Sequence, residues 1–146
     1  MTTSLKADEQ PASIPGSSSK EHIIVAQGTR FEPTVVFVSS GDIITWTNME
    51  GHDTESIDNM IPAGAVKWRS ILGQKISVNL KREGAYIYKC NPHLASGMLG
   101  AIIVGELPPT NLKDIDQALD SIPVSAHMVA STIRKMKKAI AIRWGT

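Results

Sequence analysis

One short run constrains this chain more than any other: Tyr86-Ile87-Tyr88-Lys89-Cys90-Asn91-Pro92-His93-Leu94-Ala95-Ser96-Gly97-Met98. A β-like segment ends on the only cysteine, and an imidazole and a thioether follow at the spacing Cys-x2-His-x4-Met. The strand has to turn here, because Pro92 lacks an N–H and biases Asn91 toward extended backbone. Gly97 permits a tight return before Met98 opens the next apolar run. A second imidazole, His52, lies 38 residues before Cys90 in Asn48-Met49-Glu50-Gly51-His52-Asp53. The fold must therefore bring a strand-ended thiol and a distant loop together if these groups act jointly.

The rest of the chain suits that demand. Short β-rich segments punctuated by turn residues run from His22: His22–Gln27 before Gly28, Thr34–Val38 after Pro33, and Ile43–Asn48 after Gly41-Asp42. Lys75–Lys81, Ala85–Cys90 and Leu99–Gly105 follow. Ile76, Val78 and Leu80 alternate with polar neighbours, the period of a half-buried strand. Many short strands at this spacing predict an all-β Greek-key β-sandwich rather than a parallel sheet. Residues 48–73 are irregular and are expected to hold long connections with a short edge strand. Trp46 and Ile44 share a strand face and are expected to pack inward near the site, with Phe31 and Pro33 buttressing the His52 loop.

After Pro108-Pro109 the period changes. Leu112, Ile115, Leu119 and Ile122 recur at helical spacing with Thr110 or Asn111 as cap. Val129, Ile133, Met136 and Ile140 form a second stripe beyond Pro123. Helices this short need tertiary packing, so both should lie on the sandwich. The expected organisation is a flexible arm over 1–21, a sandwich carrying the site over 22–108, and a helical appendage over 109–146 packed on the same domain. The arm is rich in Ser, Thr, Pro and charge and lacks the apolar centre of a secretory signal.

Composition narrows the partners. Fifteen Lys and Arg against 14 Asp and Glu leave no bulk charge for neutralising phosphates, so nucleic acid is not expected as a partner. No segment has the length of a membrane span, so no membrane insertion is expected. A single cysteine excludes an internal disulfide and leaves one thiol that is inert, reactive or metallated.

Singly, each candidate has an ordinary explanation. A lone Cys is most often a small buried hydrophobe, and a Met at a strand start is usually core. His22, at the first strand, and His127, on the last helix, keep such ordinary readings. Together, His52, Cys90, His93 and Met98 offer two ring nitrogens, a thiolate and a weak thioether, the donor set of a trigonal copper site with a long axial Met. Cu(I) favours soft sulfur and Cu(II) favours nitrogen, so this mixed set lies between the two demands. Zn(II) could occupy the same ligands. A thiol enzyme using Cys90 and His93 would leave Met98 and His52 unexplained.

These residues resemble the cupredoxins, and within them the pseudoazurins. The resemblance rests on Phe31-Glu32-Pro33, Gly41-Asp42, Gly51-His52, Glu55-Ser56, Met60-Ile61-Pro62, Gly84-Ala85-Tyr86, Lys89-Cys90-x-Pro92-His93, Gly97-Met98 and Val104-Gly105. It implies an eight-stranded Greek-key sandwich with two C-terminal α-helices and one type 1 copper held by His52, Cys90, His93 and Met98. It also implies a periplasmic, monomeric one-electron carrier, not an enzyme. The implied partners are cytochromes c, copper nitrite reductase or nitrous oxide reductase, docking around His93 at Pro92, Leu94, Ala95, Lys67 and Lys89. A copper-delivery protein would use the same donors.

Several residues depart from the resembled pattern. Asp53 stands where such proteins carry Asn after the first His, and Asn91 replaces a Thr. The expectation is that the tie between the two ligand loops survives, with Asp53 accepting from the Asn91 amide or backbone. A carboxylate there should favour Cu(II) and lower the potential. The resembled proteins carry a lysine ring around an apolar patch beside the exposed ligand His. Here Ser96 replaces a patch Met, Glu50 stands where a Lys is common, and Glu50 and Glu55 dilute the basic charge. Arg134, Lys135, Lys137 and Lys138 read as the solvated face of the last helix.

Overall fold

The alternating segments pair into two four-stranded sheets in the computed structural model, which describes residues 19–145. In chain order the strands are β1 (Glu21–Gln27), β2 (Arg30–Glu32), β3 (Val35–Val38), β4 (Asp42–Thr47), β5 (Glu55–Ser56), β6 (Ile76–Leu80), β7 (Gly84–Lys89) and β8 (Leu99–Val104). One sheet has the order β2-β1-β4-β6 and the other β3-β8-β7-β5, so the chain passes repeatedly from sheet to sheet in a β-sandwich. Residues 1–18 of the expected arm lie outside the described residues. The irregular stretch does hold a short edge strand, β5, and the three-residue β2 is one the alternation did not flag. Both sheets are mixed: β1–β4 and β3–β8 pair in parallel, the remaining pairs antiparallel.

Strands β7 and β8 are buried on both faces, which explains their unbroken apolar sequence. Tyr86, Tyr88 and Cys90 turn inward with Ile24, Ile44, Trp46, Leu80 and Ile102, filling the space between the sheets. Ala85, Ile87, Leu99, Ala101 and Ile103 turn outward and meet Ile115, Val129, Ile133, Met136 and Ile140. These come from α1 (Leu112–Leu119) and α2 (Ala126–Trp144), so both helical stripes pack where their periodicity requires. Gly100 pairs with Tyr88 across the β7–β8 ladder, and a Cβ there would overlap the Tyr88 ring. Phe31 packs on Tyr88 with ring centroids 4.9 Å apart, while Pro33 is exposed.

Two polar side chains do more than their sequence context suggests. Asn111 occupies the α1 cap position but makes no capping bond. Its Oδ1 accepts from the Ala85 N–H and its Nδ2 donates to the Ala85 carbonyl, both at 2.8 Å. Short β5 leaves that edge of β7 open, and Asn111 stands in for the missing strand. His22 pairs through Nε2 with Asp42 Oδ2 at 2.8 Å, and the Lys20 and Ser39 N–H groups donate to the same carboxylate at 3.0 Å.

Burial pushes the Asp42 carboxyl up, but the Lys20 N–H, the His22 ring and the Ser39 N–H outweigh it and hold the group below its ordinary value. A depressed folded pKa contributes stability that is present above the unfolded value and is lost as pH falls through the folded one. Asp42→Asn is therefore expected to cost about 1–3 kcal/mol at neutral pH. The gap to the unsubstituted chain should close as pH drops below about 3.9. Urea unfolding at a series of pH values measures this, and a gap independent of pH would refute it.

Candidate metal centre

The β7–β8 ladder delivers three of the four expected groups. Its last paired residues are Lys89 and Leu99, and the pairing runs one step further through the Cys90 N–H, which donates to the Met98 carbonyl at 3.0 Å. Between them a 3₁₀ segment, Asn91–Ser96, has Pro92 in its first turn and carries His93 at its bend. Gly97 closes the segment in left-handed backbone (φ 85°), so its N–H reaches the Leu94 carbonyl. The Met98 N–H then donates to the His93 carbonyl at 3.2 Å, so Met98 is bonded through its backbone to both Cys90 and His93. Met98 is fully buried in the same core cluster as Cys90.

His52 comes from the loop after β4. Asn48 takes left-handed backbone (φ 60°) and donates from Nδ2 to the Ala26 carbonyl at 2.6 Å, fixing where the loop leaves the sheet. The His52 N–H donates to the Met49 carbonyl and its own carbonyl accepts from Gly73 N–H, both at 2.8 Å. Held on both sides, the ring turns inward and is 8% exposed.

The two imidazoles meet at the thiol. Cys90 Sγ lies 3.7 Å from His52 Nδ1 and 3.6 Å from His93 Nδ1. The ring centroids are 4.8 Å apart, and the three donor atoms all lie within 4.8 Å of one another. This spacing fits a metal. Bonds of about 2.0–2.3 Å to imidazole and thiolate, opened to ~110–120°, place sulfur and nitrogen about 3.6–3.8 Å apart. His52 is buried and His93 half-buried, so His93 is the ring nearer solvent.

Electrostatics favour a neutral His52 ring and a thiol that needs a cation. Burial pushes the His52 ring down, the His93 charge adds to this, and Asp53 opposes it. Burial pushes the Cys90 thiol up; the Asp53 and His93 N–H groups oppose that, and the Asp53 charge reinforces it. A bound cation would offset the desolvation of the thiolate and release its proton.

The expected tie between the loops is present. Asp53, itself buried, accepts from the Asn91 N–H at 2.7 Å through Oδ1 and from Asn91 Nδ2 at 3.0 Å through Oδ2. Glu55 Oε1 also accepts from Asn91 Nδ2, at 2.9 Å, so this acid joins the tie as well as adding surface charge. The signal was legible: Asp53 and Glu55 are two apart on extended backbone and share a face. Of the residues expected on the docking face, Pro92 and Ala95 are exposed. Leu94 is half-buried against the helix-side core. Lys67 lies 3.2 Å from Asp58, and Lys89 is half-buried beside Glu55.

Comparison with known proteins agrees with this geometry. The family described as copper binding proteins, plastocyanin/azurin family, matches residues 21–105. A pseudoazurin of Methylorubrum extorquens is 36% identical over 77 residues, covering 52% of each chain. A pseudoazurin of Paracoccus pantotrophus is 32% identical over 79 residues, covering 53% of this chain and 54% of its own. The chain thus spans about half the length of the curated relatives it matches. A solved pseudoazurin from Sinorhizobium meliloti superposes with a TM-score of 0.68 at 28% identity, covering 80% of this chain and 96% of that one. A matched profile, a cupredoxin sandwich and a His-Cys-His cluster spaced for one type 1 copper coincide, and the chain belongs to the copper-binding plastocyanin/azurin family, with pseudoazurins among its relatives.

Proposed function

We propose that the chain is a one-electron carrier in which His52, Cys90, His93 and Met98 hold a single type 1 copper. The observation that carries this reading is the near-equal approach of Cys90 Sγ to two imidazole nitrogens, 3.7 and 3.6 Å. When bound, the metal supplies a reversible Cu(I)/Cu(II) couple. The protein's part is to keep the donors still. Cys90 is fixed by the ladder bond to Met98, His52 by its bonds to Met49 and Gly73, and His93 by the 3₁₀ bend. A donor set already gathered needs little rearrangement on changing charge, and the buried Cys90 and Met98 exclude water that would add to it.

The half-buried His93, flanked by exposed Pro92 and Ala95, is the exit for electrons in this reading. A small apolar face there permits close approach and quick release. The partners are periplasmic redox proteins such as cytochromes c, copper nitrite reductase or nitrous oxide reductase. A monomer suffices, since no second chain is needed to complete the donor set. Among the described residues no helix is long and apolar enough to cross a membrane.

Addition of Cu(II) is expected to give intense blue-to-green colour and a small copper hyperfine splitting, read by visible and electron-paramagnetic-resonance spectra. A sample as pale as aqueous copper would reject the reading. Metal that leaves readily to a competing chelator and does not cycle reversibly would favour copper delivery instead.

The Asp53 carboxylate should stabilise the more highly charged oxidation state. Asp53→Asn is expected to raise the reduction potential by about 60 mV, a tenfold change in a one-electron equilibrium. Voltammetry measures it, and an unchanged or lower potential would refute the assignment.

Acidic neighbours also moderate encounter with partners. Lys67 faces Asp58, Lys89 lies beside Glu55, and Glu50 is exposed near the site. Electron transfer to a cytochrome c should change by less than about threefold between 0.01 and 0.15 M salt, a range over which the screening length shrinks from ~30 to ~8 Å. A steep fall in stopped-flow rate would contradict this.

A further inference from the structure

Five of the seven aromatic side chains, Phe31, Trp46, Trp68, Tyr86 and Tyr88, gather in the core between the sheets. Tyr88 and Cys90 lie two residues apart and line the same inner surface, so the Tyr88 ring neighbours the thiol along the chain. Tyr88 meets Trp46 edge-on at a centroid distance of 5.2 Å, and Trp46 lies obliquely over Trp68 at 5.4 Å. Trp68 is also 6.1 Å from Tyr88 directly. Trp68 is the member that reaches solvent, 7% exposed against 0% for the other four. Its Nε1 donates to Thr54 Oγ1 at 3.1 Å, and Thr54 adjoins Asp53, whose carboxylate accepts at 2.7 Å from the N–H of Asn91, the residue after Cys90. Both the rings and this hydrogen-bonded path therefore run from the surface at Trp68 to the donor cluster.

The polar atoms of the inner two rings make packing an incomplete account. Trp46 Nε1 and Tyr88 Oη are buried with no partner at full hydrogen-bond geometry among the described residues, and have only each other to approach. Phenylalanine at both positions would fill space with no buried polar atom to satisfy, so an indole and a phenol together bring a polar cost that packing alone does not require. What an indole and a phenol offer over a phenyl ring is easier one-electron oxidation.

We propose that Trp68 is a second electron port, linked through Trp46 and Tyr88 to the cluster at Cys90, through which the reduced centre repairs oxidised indole. A one-electron oxidant such as the carbonate radical takes an electron from Trp68 and becomes carbonate. Thr54 Oγ1 is a hydrogen-bond acceptor but no base, so the indole keeps its Nε1 proton as a radical cation. One electron then passes from the Cys90 centre by way of Tyr88 and Trp46 to Trp68, restoring the indole, while Cu(I) becomes Cu(II). This inference rests on the copper reading proposed above.

The test is flash generation of carbonate radical in a Trp144→Phe background, which leaves Trp46 and Trp68 as the indoles. In the copper-loaded, reduced protein the indole-radical absorbance should decay as the Cu(II)–thiolate colour grows, at least tenfold faster than the same radical decays in the copper-free protein. Trp46→Phe should slow that decay at least twofold, because Trp68 then reaches Tyr88 only across the longer 6.1 Å approach, while leaving the visible spectrum of the oxidised centre unchanged. Trp68→Phe, at the edge of the core, should abolish the prompt radical. Decay equally slow with and without copper, or unaffected by Trp46→Phe, overturns the port alone. A sample that never colours with Cu(II) overturns the copper reading and the port with it.

Discussion

The structure depends on the pairing of β7 with β8. The ladder runs from Gly84 opposite Val104 to Lys89 opposite Leu99, then adds the Cys90 N–H bond to the Met98 carbonyl. That last bond makes a closed loop of the residues between Cys90 and Met98, so sulfur and imidazole positions are set by strand register. A slip of one residue would turn Cys90 away from the core and send Tyr86 and Tyr88 to the helix side. The two-sided burial of these strands makes such a slip costly, because every residue from Gly84 to Tyr88 is buried. The helices α1 and α2 thus support the metal centre from a distance, by covering the outer face of the strands that hold it.

The donor cluster gains its second half from polar links between remote segments. Asn48 anchors the His52 loop to β1, Gly73 holds the His52 carbonyl, and Asn91 binds Asp53 through two donors. Each link joins segments far apart in sequence, and each gives a backbone group a partner. The carboxylate at Asp53 has two effects of opposite sign. It stiffens the junction between the loops, and its charge opposes formation of the Cys90 thiolate. A cation at the cluster reconciles the two, since it is attracted by both groups.

Much was legible in the residues. The Cys-x2-His-x4-Met spacing, the period-two strands and the two helical stripes identified the sandwich, the appended helices and the candidate donors. They did so because local period and turn chemistry are properties of the chain itself. Less visible were β2 and β5, two or three residues long and held by neighbours rather than by propensity. Asn111 reads as a helix cap from its position, yet the open edge of β7 claims its side chain. His22 reads as an ordinary strand residue, yet Asp42 gives it a partner.

Sequence alone determined which atoms are available: one sulfur at a strand end, two imidazoles, a thioether, and an acid following the first imidazole. Tertiary structure decided which nitrogen of each ring faces the sulfur, which carboxylates reach Asn91, and that Trp46, Trp68 and Tyr88 touch. The physical reason is distance along the chain. Contacts between residues 20 to 40 positions apart follow from sheet register and loop anchoring, which no local pattern encodes. A donor's chemistry belongs to its residue, whereas its direction belongs to the fold.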